Sequence, residues 1–566
     1  MRSAGSPRAA VIASWFVLGI TILLAFGRAA AEGWPNVFDD AFITYRYAKN
    51  LAFGDGITWN AGQPPTEGYT NFLLVLFLAP WIRIGADPLL VTRVLSYTAI
   101  SAIAGTLFVV ARRRWGASNL AAGMVASAVL LAPEAKVLPL TGLETVIYAF
   151  LLLLALLRGA RLIEQNTTSH AIAFAALLFA TALLRPEAAL LFPAVAGVYL
   201  VARSRGRIAD LKPLLLSIAV LATLTAAYAA WKIAHFHALL PNPFFVKAAG
   251  SGIVSQLGIA SVRTFITGHA VLLACAFLGL AATAAVRRSP ESPNTPLVTT
   301  GAVLVVLYGL FFARTDTLMD IHGRFLFPLV PIAALMATPA LAAALTGLDA
   351  LAGPRVAPLC ATLAFVLAFG TADLAAAFSN ARRIATAGRK ERPAGLMASE
   401  LRVAQALAQY PQITAVRMAF ADAGVIPYYT GAPWLDVVGL NDSVLARTTD
   451  RSRAIDYFFN WTPDVIIHPG SESSSWIRHG HGPLGDYSSW AEDPRWDAYE
   501  YVGTTRTSGR YDLQYFVRRS SRLRETLVPF LRSRVVDGWY EPFPLPIGTY
   551  APTPGAAVQW VPGPPY

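Results

Sequence analysis

Two adjacent acids open the densest run of polar residues in the chain: Asp39-Asp40-Ala-Phe-Ile-Thr-Tyr-Arg46-Tyr-Ala-Lys49-Asn50. Neighbouring carboxylates repel unless a cation, a base or a proton relieves them. A helix N-cap explains one aspartate and leaves the second unexplained, so the pair reads as chemistry. Such carboxylates suit a general base that deprotonates a hydroxyl, and oxygen ligands of this kind can hold a divalent cation, Mg or Mn. Residues 41–53 have helical character with Gly54 as a stop signal. This sets Asp39, Ile43, Arg46 and Asn50 on one face, with a carboxylate beside a guanidinium. Arg46 and Lys49 suit phosphate and equally suit lipid headgroups.

The same types of residue recur farther along. Gly54-Asp55-Gly56 and Pro64-Pro65-Thr66-Glu67-Gly68-Tyr69-Thr70-Asn71 complete the first polar loop. Glu144 opens an apolar block, and Arg185-Pro186-Glu187 interrupts another. Lys247 follows Asn242, Phe244 and Phe245, and Asp316, Asp320, His322 and Arg324 precede a further block. An ion pair closing a turn is the plain alternative for Arg185 and Glu187, as an interfacial anchor is for Arg324. The carboxylates fit a general base, the cations a phosphate or pyrophosphate leaving group, and apolar walls between them a polyprenyl chain. No Ser/His/Asp arrangement, His-Glu-x-x-His or glycine-rich phosphate loop is visible. Cys275 and Cys360 share no metal-ligand spacing, which excludes a disulfide framework and a zinc site.

The elements that must position these residues are membrane helices. Of 566 residues 55% are hydrophobic and 14% charged, with mean hydropathy +0.48; soluble proteins carry about a quarter charged residues. The apolar blocks reach the length of a bilayer-crossing helix. Eleven spans are expected, near 10–28, 89–111, 118–133, 143–158, 170–184, 187–202, 213–233, 267–286, 296–313, 324–346 and 356–378. The short stretch 72–84 follows Pro64-Pro65, and counting it as a crossing would turn the Arg112–Arg114 run outward, against the positive-inside rule. It therefore reads as an interfacial or re-entrant helix. The net charge of +12 fits membrane anchoring, not nucleic acid. An uncleaved first span and an odd number of crossings then place the first loop and the tail together outside the cytosol. The expected organisation is a membrane domain, 1–378, and an extracytoplasmic α/β domain, 379–566. In the latter, Val416–Phe420, the segment from Asp422 and Trp434–Val438 read as strand, helix and strand. The Pro- and Gly-rich end, 541–566, reads as loosely ordered.

The first loop, with Gly142-Leu143-Glu144-Thr145, Arg185-Pro186-Glu187, Gly323-Arg324-Phe325-Leu326, Ala421-Asp422-Ala423-Gly424-Val425-Ile426-Pro427-Tyr428-Tyr429 and Gly439-Leu440-Asn441-Asp442, resembles the GT-C glycosyltransferases. Within them it is similar to the terminal β-(1→2)-arabinofuranosyltransferases of mycobacterial and corynebacterial cell walls. The resemblance implies a many-span fold in the bacterial plasma membrane, an extracytoplasmic site, a polyprenyl-phosphate arabinofuranose donor and a cell-envelope glycan acceptor. It implies a catalytic role for Asp39 and Asp40. Arg46, Lys247 and Arg324 are then expected at the donor phosphate. Glu67, Tyr69, Asn71, Glu144, Arg185, Glu187 and His322 are expected at the substrates. The competing reading is a flippase for lipid-linked sugars, which calls for charges deep within spans and discontinuous helices in two halves.

Overall fold

The structure is a computed structural model that describes residues 7–33, 38–203, 208–248, 255–285, 294–317, 320–370, 396–470, 493–506 and 512–536. In lipid every backbone polar group must be satisfied within the chain, and helices do this here. Each expected span coincides with a helix: α1 (Pro7–Gly33), α4 (Pro88–Trp115), α5 (Asn119–Leu130), α7 (Thr145–Gln165), α8 (Thr168–Ala182), α9 (Leu191–Ala202), α10 (Lys212–Phe236), α13 (Ala270–Ala285), α14 (Thr295–Arg314), α15 (Leu329–Ala352) and α16 (Ala357–Phe369). Five of these, α4, α7, α10, α14 and α15, are long and apolar enough to cross a bilayer unaided. Two more qualify as bent pairs: α5 with 133–140, which includes α6 (Pro133–Val137), at 70°, and α12 (Gln256–Gly268) with α13 at 78°. The remaining apolar helices are shorter.

The two ends of the bundle differ in character. At one end Arg114 on α4 meets Glu164 on α7 at 2.5 Å, Asn294 Nδ2 donates to the Arg114 carbonyl at 2.8 Å, and Arg203 donates to the Ile163 carbonyl. At the other end lie α2 (Asp39–Phe53) and α3 (Phe72–Arg83). The helix α3 packs along α2, and Arg83 sits 5.6 Å from the Phe53 ring centroid. Its 12 residues lie beside α2.

After α17 (Leu396–Ala408) comes a five-stranded sheet of β1 (Met418–Phe420), β2 (Trp434–Asp436), β3 (Val465–Gly470), β4 (Tyr499–Arg506) and β5 (Asp512–Arg518), in the order β2-β1-β3-β5-β4. β1 pairs parallel with β2 through the crossover helix α18 (Val425–Thr430), the strand-helix-strand unit expected from the sequence. Strand side chains alternate between faces. Met418, Phe420, Val465, Ile467 and Tyr515 join a core continuous with that of the bundle, whereas Ala419 and Ile466 join a second core with Phe458 and Leu445. The sheet thus rests on the membrane domain through one face. The tail 541–566 lies outside the described residues.

Candidate active site

A cavity of about 150 Å³ opens where α2, the ends of α7, α8 and α15, and the C-terminal domain converge. Asp40, Tyr69, Asn71, Glu144, Arg185 and Arg324 line it, as does Asp316; Leu143 and Val246 are apolar, and Val438 and Leu440 come from the C-terminal domain.

Two ion networks hold its polar wall. Arg324 Nη2 donates to Asp40 Oδ2 at 2.8 Å, with the arginine side chain 8% and the aspartate 28% exposed. The cation is fixed and the acid faces the cavity. Arg324 Nε meets no hydrogen-bond acceptor among the described residues. Phe325, whose amide donates to Asp320 Oδ1, lies under both Arg324 and Arg185 at 5.0 and 4.9 Å. In the second network Arg185 donates to Glu187 at 2.6 Å and Glu144 at 3.2 Å. Glu144 accepts from Asn71 Nδ2 at 2.9 Å, and Asn71 Oδ1 accepts from Thr44 on α2 at 3.0 Å. Arg185 and Glu187 form the turn-closing ion pair, and Glu144 extends it into the cavity. The buried Tyr69 hydroxyl meets no hydrogen-bond partner among the described residues, and burial raises its pKa.

Other expected site residues stand elsewhere. Arg46 does not line the cavity. Its guanidinium donates to the carbonyls of Trp59, Ala432 and Pro427 and to Asn60 Oδ1, and burial lowers its pKa to about 9. Lys49 donates to the Tyr428 carbonyl at 3.1 Å, and burial lowers its pKa to about 7. These cations join α2 to α18 and stand outside the lining of the cavity. Glu67 pairs with Lys232 at 2.7 Å behind the cavity. Its carbonyl accepts from Asn242 N, which places α11 (Asn242–Ala248) beside the opening. His322 is exposed in left-handed backbone (φ 57°), with its ring edge on Phe38. The Lys247 side chain lies outside the described residues.

The adjacent acids part company. Asp39 Oδ1 accepts from Val425 N at 2.6 Å. It therefore caps α18, an element of the other domain, while the N-cap of its own helix is Phe38. Asp39 does not line the cavity. Burial first, and Asp422 next, push its pKa well above the usual carboxylate range. Glu400, 1% exposed, is shifted the same way by burial and then by Asp422 and Asp39. Among the described residues no group of three or more His, Cys, Asp or Glu side chains could hold a metal ion. Arg324 already places positive charge beside Asp40. The described residues do not form a site for the Mg or Mn ion that the paired acids suggest.

Lys232 and Glu400 escaped the sequence reading. The only signal for Lys232 was a lone cation near the end of an apolar span. Asp436 also escaped it. Buried, with its pKa raised to about 7 by that burial, it accepts from the amides of Val438, Gly439 and Asn441 and from Asn441 Nδ2. It thereby shapes the loop that brings Val438 and Leu440 to the cavity. Asn441 Oδ1 also accepts from Tyr47 on α2.

Comparison with known proteins agrees with this architecture. Residues 392–519 match a family described as a domain of unknown function, DUF8728. No curated protein matches the sequence. Two structures of ArnT from Cupriavidus metallidurans, one bound to undecaprenyl phosphate and one in the apo state, are similar over 89% of this chain and 97% of theirs, with 16% identity and a TM-score of 0.53. The fold is thus similar to that of ArnT: a bundle of apolar helices followed by a small C-terminal α/β domain.

Proposed function

We propose that this protein is a membrane glycosyltransferase that moves a sugar from a polyprenyl-phosphate donor to a cell-envelope glycan. The observation that carries the reading is the cavity, where a solvent-facing carboxylate, Asp40, stands 2.8 Å from a fixed guanidinium, Arg324, beside apolar walls. Asp40 takes the proton of the acceptor hydroxyl. The oxygen attacks the anomeric carbon, the bond from that carbon to the phosphate oxygen breaks, and the polyprenyl phosphate leaves with the electron pair. Arg324 stays on Asp40 through Nη2 and turns Nε to the phosphate, a charge-assisted contact. The second network fixes Asn71 and Glu144 as acceptors and donors for sugar hydroxyls. A GT-C fold seen in a protein bound to undecaprenyl phosphate supports a polyprenyl carrier.

The proposed sugar is arabinofuranose, on the strength of the first-loop motifs. The proposed location is the plasma membrane, with the cavity and C-terminal domain extracytoplasmic. The direct contacts between α2 and α18 keep the two in one compartment. The arginines at the opposite end fit the cytosolic side.

Discontinuous spans are the observation that favours a flippase. Both breaks, however, lie at the cavity end of the bundle. Glu134, at the break after α5, accepts from His269, at the break between α12 and α13, at 2.9 Å, and Gly323 packs against Glu134. The test is incubation of purified protein with labelled polyprenyl-phosphate sugars and glycan acceptors. Release of polyprenyl phosphate with label on the glycan is the expected result. Movement of intact donor across a vesicle, without cleavage, would replace this reading by the flippase.

A further inference from the structure

We propose that the turn 438–441, which the C-terminal domain presents to the cavity, decides which sugar the site accepts, with Val438 and Leu440 as its specificity-determining side chains. The proposal rests on the glycosyltransferase reading and adds to it a role for the C-terminal domain.

The turn follows β2 and is held from both domains. On its own side, buried Asp436 accepts from the amides of Val438 at 3.0 Å, Gly439 at 3.3 Å and Asn441 at 2.9 Å, and from Asn441 Nδ2 at 3.0 Å. On the membrane-domain side, the Tyr47 hydroxyl of α2 donates to Asn441 Oδ1 at 3.2 Å and accepts from the Gly68 amide at 3.0 Å. The Thr66 hydroxyl donates to the Asn441 carbonyl at 3.3 Å. The approach is close: a Cβ on Gly68 would fall 1.9 Å from Asn441 Oδ1, as one on Gly424 would from the Asp39 carbonyl oxygen. Side chains carried on a turn so held keep their place when substrate enters, and they select by shape.

The cavity of about 150 Å³ matches the space that takes a single six-membered ring. One sugar unit fits it. The sugar being transferred lies between the attacking hydroxyl at Asp40 and the phosphate at Arg324, and both residues line this cavity. The ring within it is therefore the donor's. All the charged lining residues belong to the membrane domain, whereas the C-terminal domain contributes Val438 and Leu440, whose side chains carry no polar atom. C–H groups of the sugar rest against such a wall without loss. A hydroxyl placed there gives up water and gains no partner. An apolar pocket rejects an added hydroxyl by about 10²-fold. The turn thus admits a compact pentofuranose and turns away a homologue with a longer hydroxylated arm.

The experiment assays the full chain in nanodiscs with two donors, polyprenyl-phosphate arabinofuranose and the hexofuranose homologue longer by one CH(OH) unit. The ratio of their kcat/KM values should favour the shorter donor by about 10²-fold. Leu440→Ala opens space for the arm, and Val438→Thr keeps the shape of valine while offering the arm a hydroxyl. Each should cut the ratio by about tenfold or more, mainly through faster use of the longer donor. A ratio taken on one preparation is independent of how much of it is folded. Hydrogen exchange at the amides of 425–430 shows in parallel that the domain is still seated on α2. An unchanged ratio in both variants would overturn the proposal, as would a parent protein that prefers the longer donor. If neither donor is cleaved, the glycosyltransferase reading falls and the proposal falls with it.

Discussion

Asp39 and Asp40 leave α2 about 100° apart, and that rotation separates two kinds of surface. On the Asp40 side, with Thr44 and Ile43, α2 faces a cavity that admits solvent and carries a fixed cation. On the Asp39 side, with Arg46 and Lys49, it faces another domain, and its charges meet backbone amides and carbonyls. A surface built for reaction keeps a charged group accessible beside a partner of opposite sign. A surface built for docking satisfies charge with fixed dipoles and excludes water. The partner each acid meets, more than residue type, tells the two apart, since Asp39 and Asp40 are both half-buried.

The sharpest way to break that comparison is Asp40→Asn. Loss of a general base lowers turnover by about 10²–10⁴-fold, with docking of the C-terminal domain intact by limited proteolysis. Next in size is Arg46→Met. It strips a donor from up to four buried acceptors, each costing about 1–3 kcal/mol when left unsatisfied, and should appear as a large drop in the unfolding temperature or failure to purify a folded chain. Gly424→Ala is milder: the new methyl meets Asp39 backbone, so the domain shifts, protection at 425–430 falls, and the KM for the acceptor rises more than kcat falls. Asp39→Asn should have the smallest effect, since the amide oxygen still accepts from Val425.

The sequence made the bundle legible, because long apolar blocks leave few alternatives to spanning helices. The arginine runs argued against a crossing at 72–84. Helical spacing correctly put Asp39 and Arg46 on one face. It could not show what that face meets, since α18 lies some 380 residues away in sequence. Arg46 was therefore expected at the donor phosphate, and Lys49 suited phosphate and lipid headgroups equally, whereas here both donate to carbonyls. The Arg185–Glu187 pair was visible as a local contact, but its extension through Glu144 and Asn71 to Thr44 depends on three separate segments. Glu400 sits in a helix with no motif around it, and only the fold brings it to Asp422 and Asp39.

Single-turnover transfer from a labelled polyprenyl-phosphate sugar, measured side by side for Asp40→Asn and Asp39→Asn, tests the division of α2 most directly. The account predicts that Asp40→Asn loses about 10²–10⁴-fold while Asp39→Asn stays within about tenfold of the parent. An inactive Asp39→Asn beside an active Asp40→Asn would reverse the assignment of the two faces.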